Sequence, residues 1–459
     1  MINITSIYNH TLNHEFLVYN SCSKLCKSMN SRSILRLCCF TAMYLSSILC
    51  YANNNSEGEN VLCNSQKNIN FTTQNNICTV QIYPSGFELG DPIFDLSTSN
   101  PLIFSFDQIG DTPEYYTYTI VHCDADWNES GLYYADYMDG FQSNPLNDFQ
   151  YSFNTKVNYI HFSLKIPNDQ VKIKLSGNYL IRVYGPNSST EPVIQQRFYV
   201  VEQLTTIALR LRQASDPRIT QTHQQLDLEL FYNALQITDP YSELKVIAIQ
   251  DNIPAYQEPK PVFIHANSVV YSNPDQLIFG GLNDWRTFDT RSLNYNSLNI
   301  DEISFVGNQY HVLLKTDKSR KLTKYMSQPD FDGKTAIQAE KGYNPDTDLD
   351  YPLIYFTLEA DTPLLGDVYV VGVFNNFSCE ERYKMIYNSQ RKAYELALQL
   401  KQGYYNYMYA FREKGSNELN LSALEGSHSE AQNTYTVYVY FHQVGSRYER
   451  LVGFTRVGQ

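Results

Sequence analysis

The stretch TYTVYVYFH, Thr434–His442, carries the pattern that decides the fold. Every second side chain belongs to one mostly apolar set, namely Tyr435, Val437, Val439 and Phe441. The intervening positions form a second set, namely Thr436, Tyr438, Tyr440 and His442. Successive side chains of a strand point to opposite faces, so this period of two predicts a β-strand and not a helix.

Short alternating runs of the same kind recur along the chain. Between residues 76 and 202 they are LIFSFDQI, YYTYTIVHCDADW, VNYIHFSLKIP, GNYLIRVYG and QQRFYVVE. The chain has 38 tyrosines, and aromatic residues suit the half-buried surface of a pleated sheet. Glycine, proline and asparagine separate the runs at the spacing of a β-sandwich. These features predict an all-β chain of tandem β-sandwiches, immunoglobulin-like or early-set-like, with a loop-rich middle β domain.

The chain is long enough, at 459 residues, for several domains. The expected units are a leader at 1–52, a polar linker at 53–75, a sandwich at 76–202, a middle β-rich domain at 203–351 and an early-set immunoglobulin-like domain at 352–459. One segment, RKAYELALQLKQG at Arg391–Gly403, has leucines that fit either a helical or a strand period. Its position between strands favours a strand.

The first 52 residues have the order of a secretory signal peptide. A basic region that opens at Met29, the expected start, ends at Arg36, and the apolar run Leu37–Leu49 follows it. Ala52 supplies the small residue after which cleavage is expected. The apolar run is too short to span a bilayer comfortably, and no later segment is long and apolar enough. A lipoprotein alternative would acylate Cys50, although the residue before it is large for such a signal.

Charge and cysteine content limit the possible functions. Residues 1–52 contain four basic residues and one acidic residue, so their removal changes the formal charge from −13 to −16. A strongly acidic chain without basic clusters argues against nucleic acid or an anionic membrane surface as a partner. Four cysteines remain, too few for a disulfide scaffold. The sequence alone does not decide whether Cys63 and Cys78 form a disulfide.

The segment HCDADW, His122–Trp127, places candidate metal ligands beside an aromatic residue. In an extended strand His122, Asp124 and Asp126 face outwards, while Trp127 faces the core. Imidazole and carboxylates are suitable ligands, but residues i and i+2 of a strand stand roughly 6.5–7 Å apart, which suits hydrogen bonding better than tetrahedral ligation. The segment is therefore interpreted as structural, with no metal and no cofactor expected.

Catalytic motifs are missing from the sequence. It has no G-x-S-x-G elbow, no H-E-x-x-H, no Walker loop and no G-x-G-x-x-G after a strand. A glycosidase carboxylate pair is defined by its separation in space, so the sequence alone neither locates nor excludes one. The protein is therefore interpreted as non-enzymatic.

The segment FGGLNDWRTFDTRSL, Phe279–Leu293, combines aromatic residues with arginines. Such residues anchor protein interfaces. The candidate interface residues are Trp285, Arg286, Phe288, Asp289 and Arg291. The alternative is an internal arginine–aspartate network that ties a loop to a sheet.

VVGVFNNF, Val370–Phe377, followed by LKQGYYNYMYAF, Leu400–Phe411, resembles early-set immunoglobulin-like modules found beside starch- and glycogen-active enzymes. In those modules G-x-F-N-x-W supplies a tryptophan that stacks on sugar. Phe377 stands at that position here, and it is the candidate glycan contact of the competing interpretation, a periplasmic or secreted glycan-binding protein.

Several motifs in the right order resemble the plug protein family of the bacterial type IX secretion system, from about residue 76 to the C-terminus. They are HCDADW, SFNT (Ser152–Thr155), LSGNYLIRVYG, RFYVVE, FGGLNDWRTFDTRSL, LKQGYYNYMYAF and LEGSHSEAQNTYTVYVYF. One departure is Asn283-Asp284-Trp285-Arg286, where Asn-Glu-Phe-Arg is expected, and it keeps the acid, the aromatic ring and the arginine.

The resemblance implies a periplasmic protein without enzymatic activity. Its partner would be the outer-membrane translocon barrel, whose periplasmic side it would close when no substrate is engaged. The expected form is a monomer on its own, without a membrane span. The mechanism would be steric, because a rigid body must cover a wide pore through a sizeable yet reversible interface, above roughly 1,000 Å² in total.

Overall fold

The computed structural model describes residues 60–62, 70–72, 74, 76–186 and 190–458. Strands dominate this part of the chain, which confirms the predicted all-β class and the tandem sandwiches. The expected signal peptide, its cleavage after Ala52 and the candidate lipid site Cys50 lie outside the described residues. The described helices are short: α1 (Tyr134–Tyr137), α2 (Pro240–Glu243), α3 (Ser422–Glu425) and the 3-10 turns Val373–Asn375 and Glu381–Tyr383.

The first sandwich is built mainly from the early strands. In chain order these are β1 (Asn60–Leu62), β2 (Phe71–Thr72), β3 (Ile77–Pro84), β4 (Ile93–Asp95), β5 (Leu102–Ile109), β6 (Thr117–Cys123), β7 (Met138–Gly140), β8 (Asn144–Pro145), β9 (Phe149–Tyr151), β10 (Tyr159–Ile166), β11 (Val171–Ile173), β12 (Gly177–Tyr184) and β13 (Ile194–Val201). One sheet has the order β3-β5-β10-β9, and the other has the order β2-β13-β12-β6-β8 with β4 beside β13. Their inner faces share a core rich in aromatic rings, including Phe104, Phe106, Phe162, Tyr179 and Phe198.

The second sandwich begins with seven further strands. They are β14 (Thr206–Gln213), β15 (His223–Phe231), β16 (Leu244–Gln250), β17 (Tyr256–Gln257), β18 (Phe263–Ile264), β19 (Ser268–Val270) and β20 (Ile278–Gly280). One sheet has the order β14-β15-β19-β18, with β20 also paired to β15. The opposite sheet needs strands from the end of the chain.

The remaining strands are β21 (Arg286–Asp289), β22 (Ile300–Val306), β23 (Gln309–Leu314), β24 (Asp317–Lys318), β25 (Thr335–Ala336), β26 (Leu353–Glu359), β27 (Gly366–Val371), β28 (Ile386–Asn388), β29 (Ala393–Gln399), β30 (Tyr404–Glu413), β31 (Glu418–Asn420), β32 (Thr434–Phe441) and β33 (Arg450–Gly458). A third sandwich packs the sheet β22-β23-β26-β29-β28 against strands centred on β30, around Phe288, Phe356 and Tyr407. The ambiguous segment at Arg391–Gly403 contains β29, so its predicted strand is confirmed.

The segment Thr434–His442 contains β32, and its alternation is confirmed. The apolar set, which includes Val437 and Val439, lies in the core of the second sandwich, because β32 pairs with β16 in the register Val246↔Val439. Most of the other set is buried as well, since Tyr438 and Tyr440 pack against the first sandwich, whereas His442 at the end of the segment is exposed.

The pairing of β32 corrects its expected grouping with the strands around residues 352–411. The sheet β17-β16-β32-β33 belongs to the second sandwich, so strands on either side of residue 351 share sheets. Strands β21 and β30 are joined in the same way across that position. Sequence order shows alternation within a strand, but it does not show which distant strand completes a sheet.

The expected polar linker at 53–75 contains strands among its described residues. β1 pairs with β31 in an antiparallel ladder, in the register Asn60↔Asn420. β2 pairs with β13, in the register Ile194↔Thr72. Strand pairing therefore holds these polar stretches against two different sandwiches. No helix among the described residues has both the length and the apolar character needed to cross a membrane.

Candidate functional site

HCDADW ends a strand instead of continuing it. β6 stops at Cys123, and the Asp124 carboxylate closes a turn by accepting hydrogen bonds from the backbone N–H groups of Asp126 at 2.9 Å and Asn128 at 2.8 Å. Aspartate often forms such turns with its own following backbone. The strict two-residue alternation predicted for the whole segment is therefore wrong after Cys123.

His122 was expected to face outwards and is instead 1% exposed. Its ring packs edge-on against Tyr179 at 5.0 Å, and its Nε2 lies 3.2 Å from the Ser176 carbonyl oxygen. A Cβ on Gly177 would lie 2.5 Å from the same Nε2, so the glycine makes room for the ring. Burial lowers the pKa of His122 to about 4. A neutral buried ring suits a structural role.

The two aspartates of the segment have different partners. The Asp124 carboxylate accepts hydrogen bonds within its own turn, and the Asp124 main-chain oxygen accepts a hydrogen bond from the Asn178 amide. Asp126 forms an ion pair with Lys245 of β16 at 2.5 Å, which links the first sandwich to the second. Within the described ranges, no group of three or more His, Cys, Asp or Glu side chains is arranged to hold a metal ion.

Trp127 is buried, at 8% exposure, as expected. The Arg197 guanidinium lies over its ring at 4.3 Å from the centroid, and Tyr199 packs edge-on at 5.2 Å. Tyr199 in turn stacks on Tyr438 of β32 at 4.3 Å. The segment therefore anchors a row of aromatic rings that crosses from the first sandwich to the second.

The candidate interface at Phe279–Leu293 is almost entirely internal. Four of its five candidate residues are buried: Trp285, Arg286, Phe288 and Asp289. Only Arg291 is substantially exposed, and it forms an ion pair with Asp289 at 2.6 Å. The interface hypothesis is wrong for the four buried side chains, because the folded chain leaves them almost no surface for a partner.

The alternative, an internal ionic network, describes these contacts. The Arg286 Nε donates to the Glu425 carboxylate at 2.9 Å, and its Nη1 donates to Asp317 at 2.6 Å. Arg320 Nε donates to the other Glu425 oxygen at 2.7 Å. Burial alone would raise the pKa of Glu425, but the two guanidiniums lower it to about 2. We call these four residues the arginine network.

A half-buried acid, Asp330, lies beside Trp285. The backbone N–H of Trp285 donates to Asp330 Oδ2 at 2.7 Å, and the backbone N–H of Asp332 donates to Asp330 Oδ1 at 2.8 Å. Burial raises the pKa of Asp330 to about 7, and the nearby Asp332 and Asp284 carboxylates act in the same direction. This acid therefore titrates near neutrality.

Phe377 is not available for a glycan. It is 2% exposed and packs edge-on against Trp285, with ring centroids 6.0 Å apart. Phe377, with a φ of 54°, comes directly after Asn376, which is also left-handed. The tight turn at these two residues directs the Phe377 ring inwards. The glycan contact proposed at this position is wrong for this fold.

A charged cluster that the sequence did not predict joins the first sandwich to the third. Asp107 of β5 accepts hydrogen bonds from His161 Nδ1 at 2.6 Å, from the Tyr351 hydroxyl at 2.6 Å and from Lys401 Nζ at 2.7 Å. Asp107 and Lys401 are each no more than 1% exposed. Burial would raise the pKa of Asp107, but Lys401 and His161 lower it. Breaking such a pair is strongly destabilising, so the cluster fixes the two sandwiches together.

The described cysteines decide whether Cys63 and Cys78 form a disulfide. Cys78 and Cys123 are free thiols, so the Cys63–Cys78 bridge is not formed, while Cys379 takes part in a disulfide. Burial raises the pKa of Cys78 to about 11 and that of Cys123 to about 12. Protonated thiols are poor nucleophiles, so neither free cysteine has the environment of a reactive one.

A strand with two exposed aromatic side chains lies at one border of the first sandwich. β9 pairs with β10 and with no other strand in the described part of the chain. Phe149 is 37% exposed, Tyr151 57% and, just beyond the strand, Phe153 73%. We call these three residues the aromatic edge. An open strand edge with exposed rings is suited to binding another protein.

Residues 77–202 match the family model described as "Type 9 secretion system plug protein 1st domain". This range contains the first sandwich from β3 to β13, including HCDADW and the aromatic edge. Among solved structures, the chain is similar to a crystal structure of a hypothetical protein from Parabacteroides merdae. The two are 34% identical over 86% of this chain and 100% of that one, with a TM-score of 0.81.

No curated protein matches the chain. The matched family model names a secretion component and not an enzyme, and it supports a role associated with type IX secretion at the cell envelope.

Proposed function

The chain belongs to the same family as the Parabacteroides merdae protein and carries a type 9 secretion system plug protein first domain, and we propose that it closes the outer-membrane translocon of that system. It acts from the periplasmic side when no substrate is engaged, without catalysis. The observation that carries the proposal is the family match over residues 77–202.

A plug has to be rigid, and the contacts between the sandwiches are consistent with a rigid body. The buried pair Asp107–Lys401 joins the first sandwich to the third. The pair Glu202–Arg450, at 2.5 Å, joins the end of β13 to β33. A body held by ion pairs between its sandwiches and by shared cores resists bending more than domains on flexible linkers do.

The aromatic edge is the surface that we assign to the translocon. It lies within the domain matched by the plug model, it has an open strand border, and its rings are exposed. Aromatic side chains at the centre of an interface supply much of its binding energy.

The proposed location is the periplasm, reached through the signal peptide at 1–52. N-terminal sequencing of the mature protein is expected to begin at Asn53. A mature chain acylated at Cys50 would contradict the location as stated, because it would be anchored in a membrane.

The function is tested by deleting the gene and measuring both secretion and envelope leakage. Cells without the protein are expected to go on secreting through the translocon while admitting bulky antibiotics or dyes, since an empty barrel would stay open. A deletion strain with an unchanged permeability barrier would contradict the proposal.

The contact surface is tested separately by pull-down from detergent-solubilised envelope with mass spectrometry. The variant Tyr151→Ser/Phe153→Ser is expected to lose the translocon, whereas the wild-type protein retains it. The control Tyr241→Ser/Phe263→Ser changes two equally exposed rings on the second sandwich and is expected to retain it. Equal recovery by both variants would place the contact elsewhere.

A further inference from the structure

Arg197 of β13 is a partly buried cation for which the described residues supply no counter-ion. Its guanidinium lies on the Trp127 ring, and its Nε is inaccessible to solvent and has no hydrogen-bond partner in the part of the chain that the structure describes. Across the described ranges, no carboxylate lies within ion-pair distance of its side chain, and the titratable groups that influence it are tyrosines and a cysteine. Burial lowers the pKa of Arg197, which shows that its surroundings disfavour the charge.

Other arginines with little solvent contact have carboxylate partners. Arg286 has Glu425 and Asp317, and Arg182 has Glu129 at 2.7 Å. Removing a charge from water without a partner is unfavourable unless something else compensates for it. The missing partner of Arg197 therefore points to a ligand that supplies the negative charge.

Arg197 lines a cavity of about 230 Å³ where the three sandwiches meet. Its apolar walls come from Ile82 of the first sandwich, Ile249 of the second and Phe374 of the third. Tyr199 and Tyr438, stacked with an interplanar angle of 15°, line the same cavity and offer flat apolar surface. Concave sites with apolar walls and a few polar groups are typical of small-molecule binding.

The other charged side chains of the cavity already have partners. Lys334 forms an ion pair with Asp91 at 2.5 Å, and Arg456 lies 3.5 Å from the second Asp91 oxygen. Glu88 accepts hydrogen bonds from the Ile337 backbone N–H at 2.7 Å and from the Gln81 amide at 3.2 Å. The guanidinium of Arg197 is the cationic group left for a ligand among the described lining residues.

We propose that this cavity binds a small monoanionic carboxylate with a flat apolar body. The carboxylate pairs with the Arg197 guanidinium, whose planar set of N–H donors matches its two oxygens. The apolar body lies along Tyr199 and Tyr438. A dianionic phosphate fits less well, because the Asp91 and Glu88 carboxylates line the same small cavity and would repel a second charge.

Occupancy would couple the three sandwiches. The walls belong to all of them, so a ligand that needs this cavity binds only the assembled arrangement. Binding to the folded state alone raises the free energy of unfolding by RT ln(1 + [L]/Kd), which is about 2.7 kcal/mol at a hundredfold excess over Kd.

The test uses phenylacetate as the carboxylate probe and phenylacetamide as its uncharged match, with the purified full chain in isothermal titration calorimetry. Phenylacetate is expected to bind at least about tenfold more tightly than phenylacetamide, a difference of about 1.4 kcal/mol. Arg197→Gln is expected to remove this preference. Arg210→Gln, which changes an exposed arginine on β14, is expected to preserve it.

A cavity-filling variant provides an independent check that leaves Arg197 in place. Ile249→Phe narrows the cavity from the second sandwich and is expected to weaken phenylacetate binding at least about tenfold, with circular dichroism confirming an intact fold. Three outcomes would overturn the proposal: equal binding of the two probes, unchanged binding in both variants, or no phenylacetate binding up to about 10 mM. The last of these corresponds to a binding free energy weaker than about −2.7 kcal/mol.

Discussion

Two segments rich in aromatic side chains have opposite positions in the folded chain. Phe279–Leu293 carries the residues that most resemble an interface, yet Trp285 and Phe288 are completely buried. The aromatic edge around β9 has a less conspicuous sequence, yet Tyr151 and Phe153 are exposed. The difference arises from distant partners, because Glu425, 139 positions after Arg286, closes over the first segment, while β9 has one strand neighbour among the described residues. Composition alone therefore does not separate an internal network from a binding surface.

The largest effect is expected from Glu425→Ala. The substitution leaves Arg286 and Arg320 without their shared carboxylate in a buried site, and losing one partner of a buried ion pair destabilises a protein by about 3–5 kcal/mol. Urea denaturation would measure the change in the free energy of unfolding. A small change would mean that the segment from Phe279 is not held by this network.

The matched control for that substitution is Glu418→Ala. Glu418 is an exposed glutamate on β31, in the same region of the third sandwich. Replacing an exposed residue of this kind is expected to change the free energy of unfolding by no more than about 0.5 kcal/mol. A comparable loss in both variants would remove the distinction between buried and exposed acids on which the comparison rests.

An intermediate effect concerns pH and Asp330, the half-buried acid beside Trp285. The folded-state pKa of Asp330 is raised to about 7, above the value near 3.9 of an unfolded aspartate. The folded state therefore holds a proton that the unfolded state releases, and the associated stability is fully present below about pH 4 and lost as pH rises towards about 7.

Asp330→Asn is expected to flatten this part of the pH–stability profile. The difference in slope between wild type and variant is at most about 1.4 kcal/mol per pH unit. Thermal unfolding followed between about pH 4 and pH 8 would measure it, with the exposed Asp301→Asn as control. Parallel profiles for wild type and Asp330→Asn would show that the acid does not titrate in this window.

Much of the fold is predictable from local pattern. The alternation in Thr434–His442 identifies a strand with two distinct faces, and the same logic identifies β29 within an ambiguous segment. The sheet to which β32 belongs is not predictable in this way. Its pairing with β16 joins residues that are nearly two hundred positions apart, and no local period carries that information.

The candidate sites were predictable only where a residue's role depends on its neighbours in sequence. The burial of Trp127 follows from its large apolar ring alone, since the strand alternation that also predicted it ends at Cys123. The burial of His122 does not, because Tyr179 and Gly177 of another strand create its pocket. The Asp107–Lys401 pair brings together residues 294 positions apart, so no spacing in the sequence predicts the pair.

The smallest effect on stability is expected at the aromatic edge, and it is the one that separates the two regions most sharply. Tyr151→Ser/Phe153→Ser removes two exposed rings, so the free energy of unfolding is expected to change by no more than about 0.5 kcal/mol per substitution. Binding to the translocon is expected to weaken much more, since a lost interface anchor costs about 2–4 kcal/mol. Urea denaturation and the envelope pull-down on the same preparations would measure both quantities. A variant that unfolds readily would show that the rings support the sandwich from outside, whereas a stable variant that no longer recovers the translocon is the result expected of a surface that serves binding alone.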